Sequence, residues 1–141
     1  MKTHALTRAH VLMFQAIRMS NFKGDEAGLG SLIGTADWLD HSIPTFAEFN
    51  DAVYYLKQAG LLKQTGRALG LTRAASTLFK EFEALAPLKQ RTAICTRLNI
   101  AAPTGPSDPN TVTAPETFLP EERYRHAVQV YTQGFMERYG A

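Results

Sequence analysis

The sequence predicts a mainly α-helical domain carrying one small β-hairpin, an α+β class in which helices form most of the core. Three observations predict it. Apolar residues recur at three- and four-residue spacing in four successive stretches before residue 86. Thr7, Thr45 and Thr72 stand immediately ahead of three of those stretches, where a hydroxyl accepts from the exposed amides of a helix's first turn. Between the third and fourth stretches, leucine-bearing segments flank Thr65-Gly66-Arg67-Ala68, the composition of a tight hairpin turn.

The first helix is expected to start after Thr7 and run to about residue 19, with Leu12, Phe14, Ala16 and Ile17 facing the core and Asn21 and Gly24 stopping it. Residues 22–27 read as a loop. A second helix is expected over 29–40, because Leu29, Leu32, Ile33, Ala36 and Leu39 keep helical spacing, and Pro44 pushes Ile43 out of the helical region. Thr45-Phe46-Ala47-Glu48 is a capping box: the threonine hydroxyl takes the Glu48 amide while the Glu48 carboxylate returns to the Thr45 amide. The third helix then spans 46–59 on a stripe of Phe49, Ala52, Val53, Leu56 and Ala59, with Gly60 placed for a left-handed C-terminal residue.

Strands are expected over 61–64 and 69–72. Thr72 caps a fourth helix over 73–85 that buries Ala75, Leu78, Phe79, Phe82 and Leu85, and Pro87 closes it. Residues 88–100 fit a helix through Leu88, Cys95 and Leu98 or a strand through Ile94, Thr96, Leu98 and Ile100; helix is the preferred reading over 86–100. Residues 101–120 hold five of the seven prolines and read as an extended loop. A last helix is expected over 121–139, with Tyr124, Val128, Tyr131 and Phe135 on one face for docking or dimerisation.

Composition excludes several classes. A chain of 141 residues, 45% hydrophobic and 20% charged, has the material for an ordinary core. Its net charge of +2 is low for a protein that lives on phosphate contacts. The single cysteine, Cys95, excludes an internal disulfide and a cysteine-based zinc cluster, and with no membrane-spanning or secretory stretch the expected compartment is the cytoplasm.

Helix, helix, capped helix, leucine pair, hairpin and helix, over residues 6–85, resembles the winged helix-turn-helix superfamily, with 86–141 as a helical extension. The most telling residues are Ile43-Pro44-Thr45-Phe46-Ala47-Glu48-Phe49 followed by Leu56-Lys57-Gln58-Ala59-Gly60-Leu61-Leu62. The resemblance implies a bacterial transcription regulator, a homodimer whose third helix enters the major groove of double-stranded DNA while the hairpin, or wing, touches the backbone. On that reading the DNA-contact positions are Thr45, Asn50, Tyr54, Lys57 and Gln58 on the helix, Lys63 and Arg67 on the wing, and Arg73 at the next helix start.

The residues themselves qualify this. At about 100° per residue, the positions of the third helix farthest from its apolar stripe are Ala47, Asp51, Tyr54 and Gln58. Glu48 and Asp51 oppose a single Lys57 there, an unfavourable sign for approach to a polyanion. Asn50 has the donor and acceptor pair that reads adenine, and also suits a plain solvated helix face. Lys63, Arg67 and Arg73 serve equally as phosphate contacts or as solubilising charges.

The alternative is an interaction module of the same fold that binds protein and not DNA. Trp38 lies opposite the Leu29, Ile33, Ala36 face, and Tyr54 and Tyr55 lie outside the third helix's stripe, residue types favoured where proteins meet. A C-terminal extension folded over Trp38 explains that residue as well. Trp38, Tyr55, Tyr124, Val128, Tyr131 and Phe135 are therefore the partner-binding candidates. No enzyme is expected, and neither cofactor nor metal. His4, His10, His41 and His126 form no ligand pair, Asp37 with His41 is explained by a helix end, and Gly24, Gly28, Gly30 and Gly34 lack the lysine of a phosphate loop.

Overall fold

The computed structural model describes residues 6–100, 114 and 116–139. The stretch read from the sequence as a loop over 101–120 lies mostly outside the described residues, as does His4. Among the described residues the elements are, in order, α1 (Arg8–Ser20), α2 (Glu26–Asp40), α3 (Phe46–Gln58), β1 (Leu62–Thr65), β2 (Ala68–Leu71), α4 (Arg73–Glu81), α5 (Pro87–Arg97) and α6 (Glu121–Tyr139). The class is thus mainly helical with one two-stranded antiparallel sheet.

The capping threonines work as their positions predict. Thr45 Oγ accepts from the Glu48 amide at 3.1 Å while Glu48 Oε1 accepts from the Thr45 amide at 2.9 Å. Thr7 makes the same box with an unusual third residue: His10 Nδ1 accepts from the Thr7 amide at 3.1 Å. Thr72 caps α4 through the Ala75 amide. Gly60 takes the left-handed conformation that ends α3, at φ 76°.

Four boundaries differ from the sequence reading. α2 begins three residues earlier, because Asp25 accepts from the Gly28 amide and caps it. The strands sit one residue inward, with Thr65 paired to Ala68 across Gly66 and Arg67. Gly66 alone in that turn has positive φ, as a turn of the mirror-image type II requires. α4 stops at Glu81 in a tight turn in which the Phe82 amide reaches back to the Phe79 carbonyl, which leaves Leu85 exposed where burial was expected. Residues 87–97 are helical, as preferred, but Leu88 is exposed. The stripe that α5 buries is Gln90, Arg91, Ile94 and Cys95, half of it polar, which is why apolar spacing left helix and strand open.

α1 is the central element, packed against α2, α3, α5 and β2. Its Phe14 ring lies 4.6 Å from the Phe79 ring of α4, and the Arg18 guanidinium sits over the same Phe79 ring at 4.8 Å. α5 crosses α1 through a buried polar seam. Gln15 Nε2 donates to the Pro87 carbonyl and to Gln90 Oε1, and Gln15 Oε1 accepts from Arg91 Nε at 2.8 Å. Burial lowers the pKa of Arg91, and the nearby Arg8 guanidinium lowers it further, against the attraction of Asp40.

α6 packs on α2 and α3. Tyr124 is buried, stacked at 5.2 Å on Phe49, and donates its hydroxyl to the Pro44 carbonyl at 2.6 Å. Tyr131 lies over Gly34, where the lack of a side chain admits the ring, and its hydroxyl donates to Asp37 Oδ2. One continuous apolar cluster therefore runs from Val11 in α1 to Ala127 in α6. Among the described residues no helix is long and apolar enough to cross a membrane.

Candidate functional site

The outward face of α3 is crossed by the chain itself. Asn50, only 4% exposed, donates Nδ2 to the Glu116 carbonyl at 2.9 Å and accepts from the Phe118 amide at 2.7 Å. Asp51, one residue on and also buried, accepts from the Ala114 amide at 2.9 Å. Asn50 and Asp51 lie on either side of the direction in which Ala47, Tyr54 and Gln58 project, so Ala114 and residues 116–118 are held across the middle of that sector, while Ala47 and Gln58 at its two ends stay exposed. The Phe118 ring anchors the crossing between Phe22 and Phe49, 6.0 Å from each ring centre.

The remainder of the face is divided. Tyr55, expected as a partner-binding residue, is 8% exposed: its ring stacks at 5.6 Å on His10 and meets the Tyr54 ring edge-on. Helical spacing put it outside the apolar stripe, but the stripe is wider than that reading, because α1 covers Tyr55 from the side. Burial lowers the pKa of His10 and the neighbouring Asp51 carboxylate opposes this. The imidazole is thereby kept neutral, the form in which Nδ1 accepts from Thr7. Tyr54 is half-buried. Lys57, also half-buried, donates from Nζ to Gln64 Oε1 at 2.7 Å, and Gln64 in turn donates to the Gly66 carbonyl, tying the helix to the hairpin.

Of the eight DNA-contact candidates, Thr45, Gln58, Lys63, Arg67 and Arg73 are exposed. The hydroxyl of Thr45 is engaged in its cap. Asn50 is the clear departure, since its amide is buried and bonded at both ends to main chain and so presents no free edge to a base. The sequence held no sign of this beyond a polar residue beside an apolar stripe, because the segment that meets it lies 66 residues away.

Of the partner candidates, Trp38 is 63% exposed, so the described residues of the extension do not fold over it. Tyr124 is buried within its own chain, Val128 and Tyr131 are half-buried, and Phe135 is exposed at the far end of α6. Asp37, paired with His41 in the sequence, instead holds Tyr131, while His41 ends α2 with φ 56°. Cys95 is buried, and burial raises its pKa against the pull of Arg8 and Arg91, so the thiol is held protonated.

Two clefts flank α3, and the second borders the crossing segment. One, of about 490 Å³, lies between the α2–α3 turn and α6, lined by Ile43, Pro44, Phe46, Tyr124 and Val128. The other, of about 230 Å³, lies between α3, the hairpin and residues 116–118, and its walls include Val53, Tyr54, Lys57 and Gln64. Comparison with known protein families, curated proteins and solved structures finds no match to this chain.

Proposed function

We propose that this chain is a winged-helix-type interaction module that binds protein and does not read DNA with its third helix. The observation that carries the reading is the crossing of α3 by Ala114 and residues 116–118, held by Asn50 and Asp51. An α-helix with its side chains is about 10–12 Å across and the major groove about 12 Å wide, so a helix carrying a further extended segment on its outer face does not enter. The charge agrees: Glu48 is exposed, and the one lysine of α3, Lys57, donates to Gln64. The exposed indole of Trp38 supplies the kind of surface that protein partners use.

A DNA-binding regulator that contacts the backbone through the wing is the second reading, favoured by the exposure of Lys63, Arg67 and Arg73. Titration of a labelled duplex with the full chain at about 50 mM salt separates the two. The interaction reading predicts no binding. A duplex bound with an affinity that falls as salt rises, the slope giving two or three phosphates per chain, would replace it with the wing-first regulator.

A further inference from the structure

Two polar side chains of α3 are buried where the helix would otherwise face outward, and both are engaged with main chain. An asparagine amide carries the same donor and acceptor as a peptide unit, so Asn50 presents to a passing chain what the edge of a strand presents. Asp51 adds an acceptor for one more N–H. Recognition of this kind is blind to side chains, and selection comes from the slot between Phe22 and Phe49 that takes the Phe118 ring.

The receptor is larger than its present occupant. Beside residues 116–118 the cleft of about 230 Å³ continues toward the hairpin. Lys57 lines it; its ammonium group donates to the neutral Gln64 side chain, which leaves its charge uncompensated, and among the described residues no carboxylate lies within ion-pair distance of it. Glu116 stands on the rim but is exposed, and Thr117, beside it, is too short to fill the space.

We propose that this face of α3 is a receptor for an extended segment of a partner protein, with Asn50 and Asp51 holding its main chain, Phe22 and Phe49 enclosing a phenylalanine, and Lys57 meeting an acidic side chain in the cleft. Ala114 and residues 116–118 occupy the seat in cis, with the aromatic anchor but with their one acid, Glu116, exposed on the rim and not paired with Lys57, and the partner's segment displaces them. The proposal rests on the interaction reading above and names where the partner binds and what it carries there.

The test uses the full chain and two fluorescein-labelled peptides: one with the sequence of residues 112–120, and one with glutamate in place of Thr117. The cis segment is weakened in two ways. Ala114→Pro removes the N–H that Asp51 accepts without touching the core, and Phe118→Ala empties the slot. Both peptides are expected to bind the weakened chains about tenfold more tightly than the wild type, in which the cis segment competes. The glutamate peptide is expected to exceed the other by about fivefold, the worth of one partly exposed ion pair, and to lose that advantage in Lys57→Gln.

Absence of binding to both weakened chains, with their helical circular dichroism intact, overturns the proposal, as does binding that Lys57→Gln and Asn50→Leu leave unchanged. If light scattering shows the wild-type chain pairing by exchange of its own residues 114–118, the seat belongs to a second copy and the proposal fails. A wild-type chain that binds duplex DNA with a salt slope removes the interaction reading, while the peptide titration still judges the groove separately.

Discussion

Asn50 holds the main chain at Phe118: the Phe118 amide donates to Asn50 Oδ1 at 2.7 Å, and Asn50 Nδ2 donates to the carbonyl of Glu116 at 2.9 Å. A side chain in the first half of the chain thus fixes a segment that begins the C-terminal region, and through it the Phe118 ring and the start of α6. Replacing it with alanine leaves a half-buried N–H and C=O without partners. Asn50→Ala is expected to cost about 2–3 kcal/mol, the sum of two modest hydrogen bonds and the desolvation of what they leave. Urea denaturation followed by circular dichroism measures this; a loss below about 0.5 kcal/mol would mean that water replaces the clasp freely.

Gln15 is fully buried and saturated, bridging Pro87, Gln90 and Arg91 of α5. Gln15→Leu keeps the volume but strips Arg91 Nε and Gln90 Oε1 of partners in a desolvated seam. The expected cost is about 2–4 kcal/mol, larger than the same change on a surface, because a buried charge is left under-compensated. Thermal unfolding of the two chains provides the comparison.

His10 gives the stability a pH dependence whose sign follows from its burial. Its folded pKa lies below the ordinary 6.5, so between the two values the unfolded chain binds more protons than the folded one. Its contribution is complete above about pH 6.5 and is lost as the pH falls through the folded value. His10→Gln retains an acceptor for the Thr7 amide without titrating. The difference in urea midpoint between wild type and His10→Gln is expected to shrink or reverse on acidification from pH 7.5 to about 5. A difference that grows in favour of the wild type would contradict the assignment.

Gly24 has φ 86°, and a Cβ there would collide with the carbonyl of Arg67 in the hairpin turn. The loop after α1 therefore seats the hairpin, an attachment completed by the Leu69 amide on the Phe22 carbonyl. Gly24→Ala is expected to cost at least about 2 kcal/mol from left-handed strain and displacement of the turn. Loss of protection at the Leu69 amide in hydrogen exchange would locate the damage.

Much of the fold was legible because the signals were local. Thr45 with Glu48, Thr72, and Gly66 in its turn each act within a few residues, and each element they predict is present. Failures came where distant contacts overrode spacing. α5 buries Gln90 and Arg91, which no hydropathy pattern marks as internal, because Gln15 of α1 satisfies them. Leu85 and Leu88 read as core and are exposed: α4 ends at Glu81, which leaves Leu85 in the turn, and α5 buries the face of Gln90, Arg91, Ile94 and Cys95 instead of Leu88. The site was the least legible part. Asn50 and Asp51 suit a solvated helix face equally well, and only the return of residues 114–118, across more than 60 positions, turns them inward.

Amide hydrogen exchange at Ala114 and Phe118 tests the covered face of α3 most directly, since these two N–H groups donate to Asp51 and Asn50 and to nothing else in the segment. Both amides are predicted to exchange at least about tenfold more slowly than in an unstructured peptide of the same sequence, and Asn50→Ala is predicted to abolish the protection at Phe118. Exchange of both at the unstructured rate in the wild-type chain would mean that α3 is bare, and would return its outer face to the DNA reading.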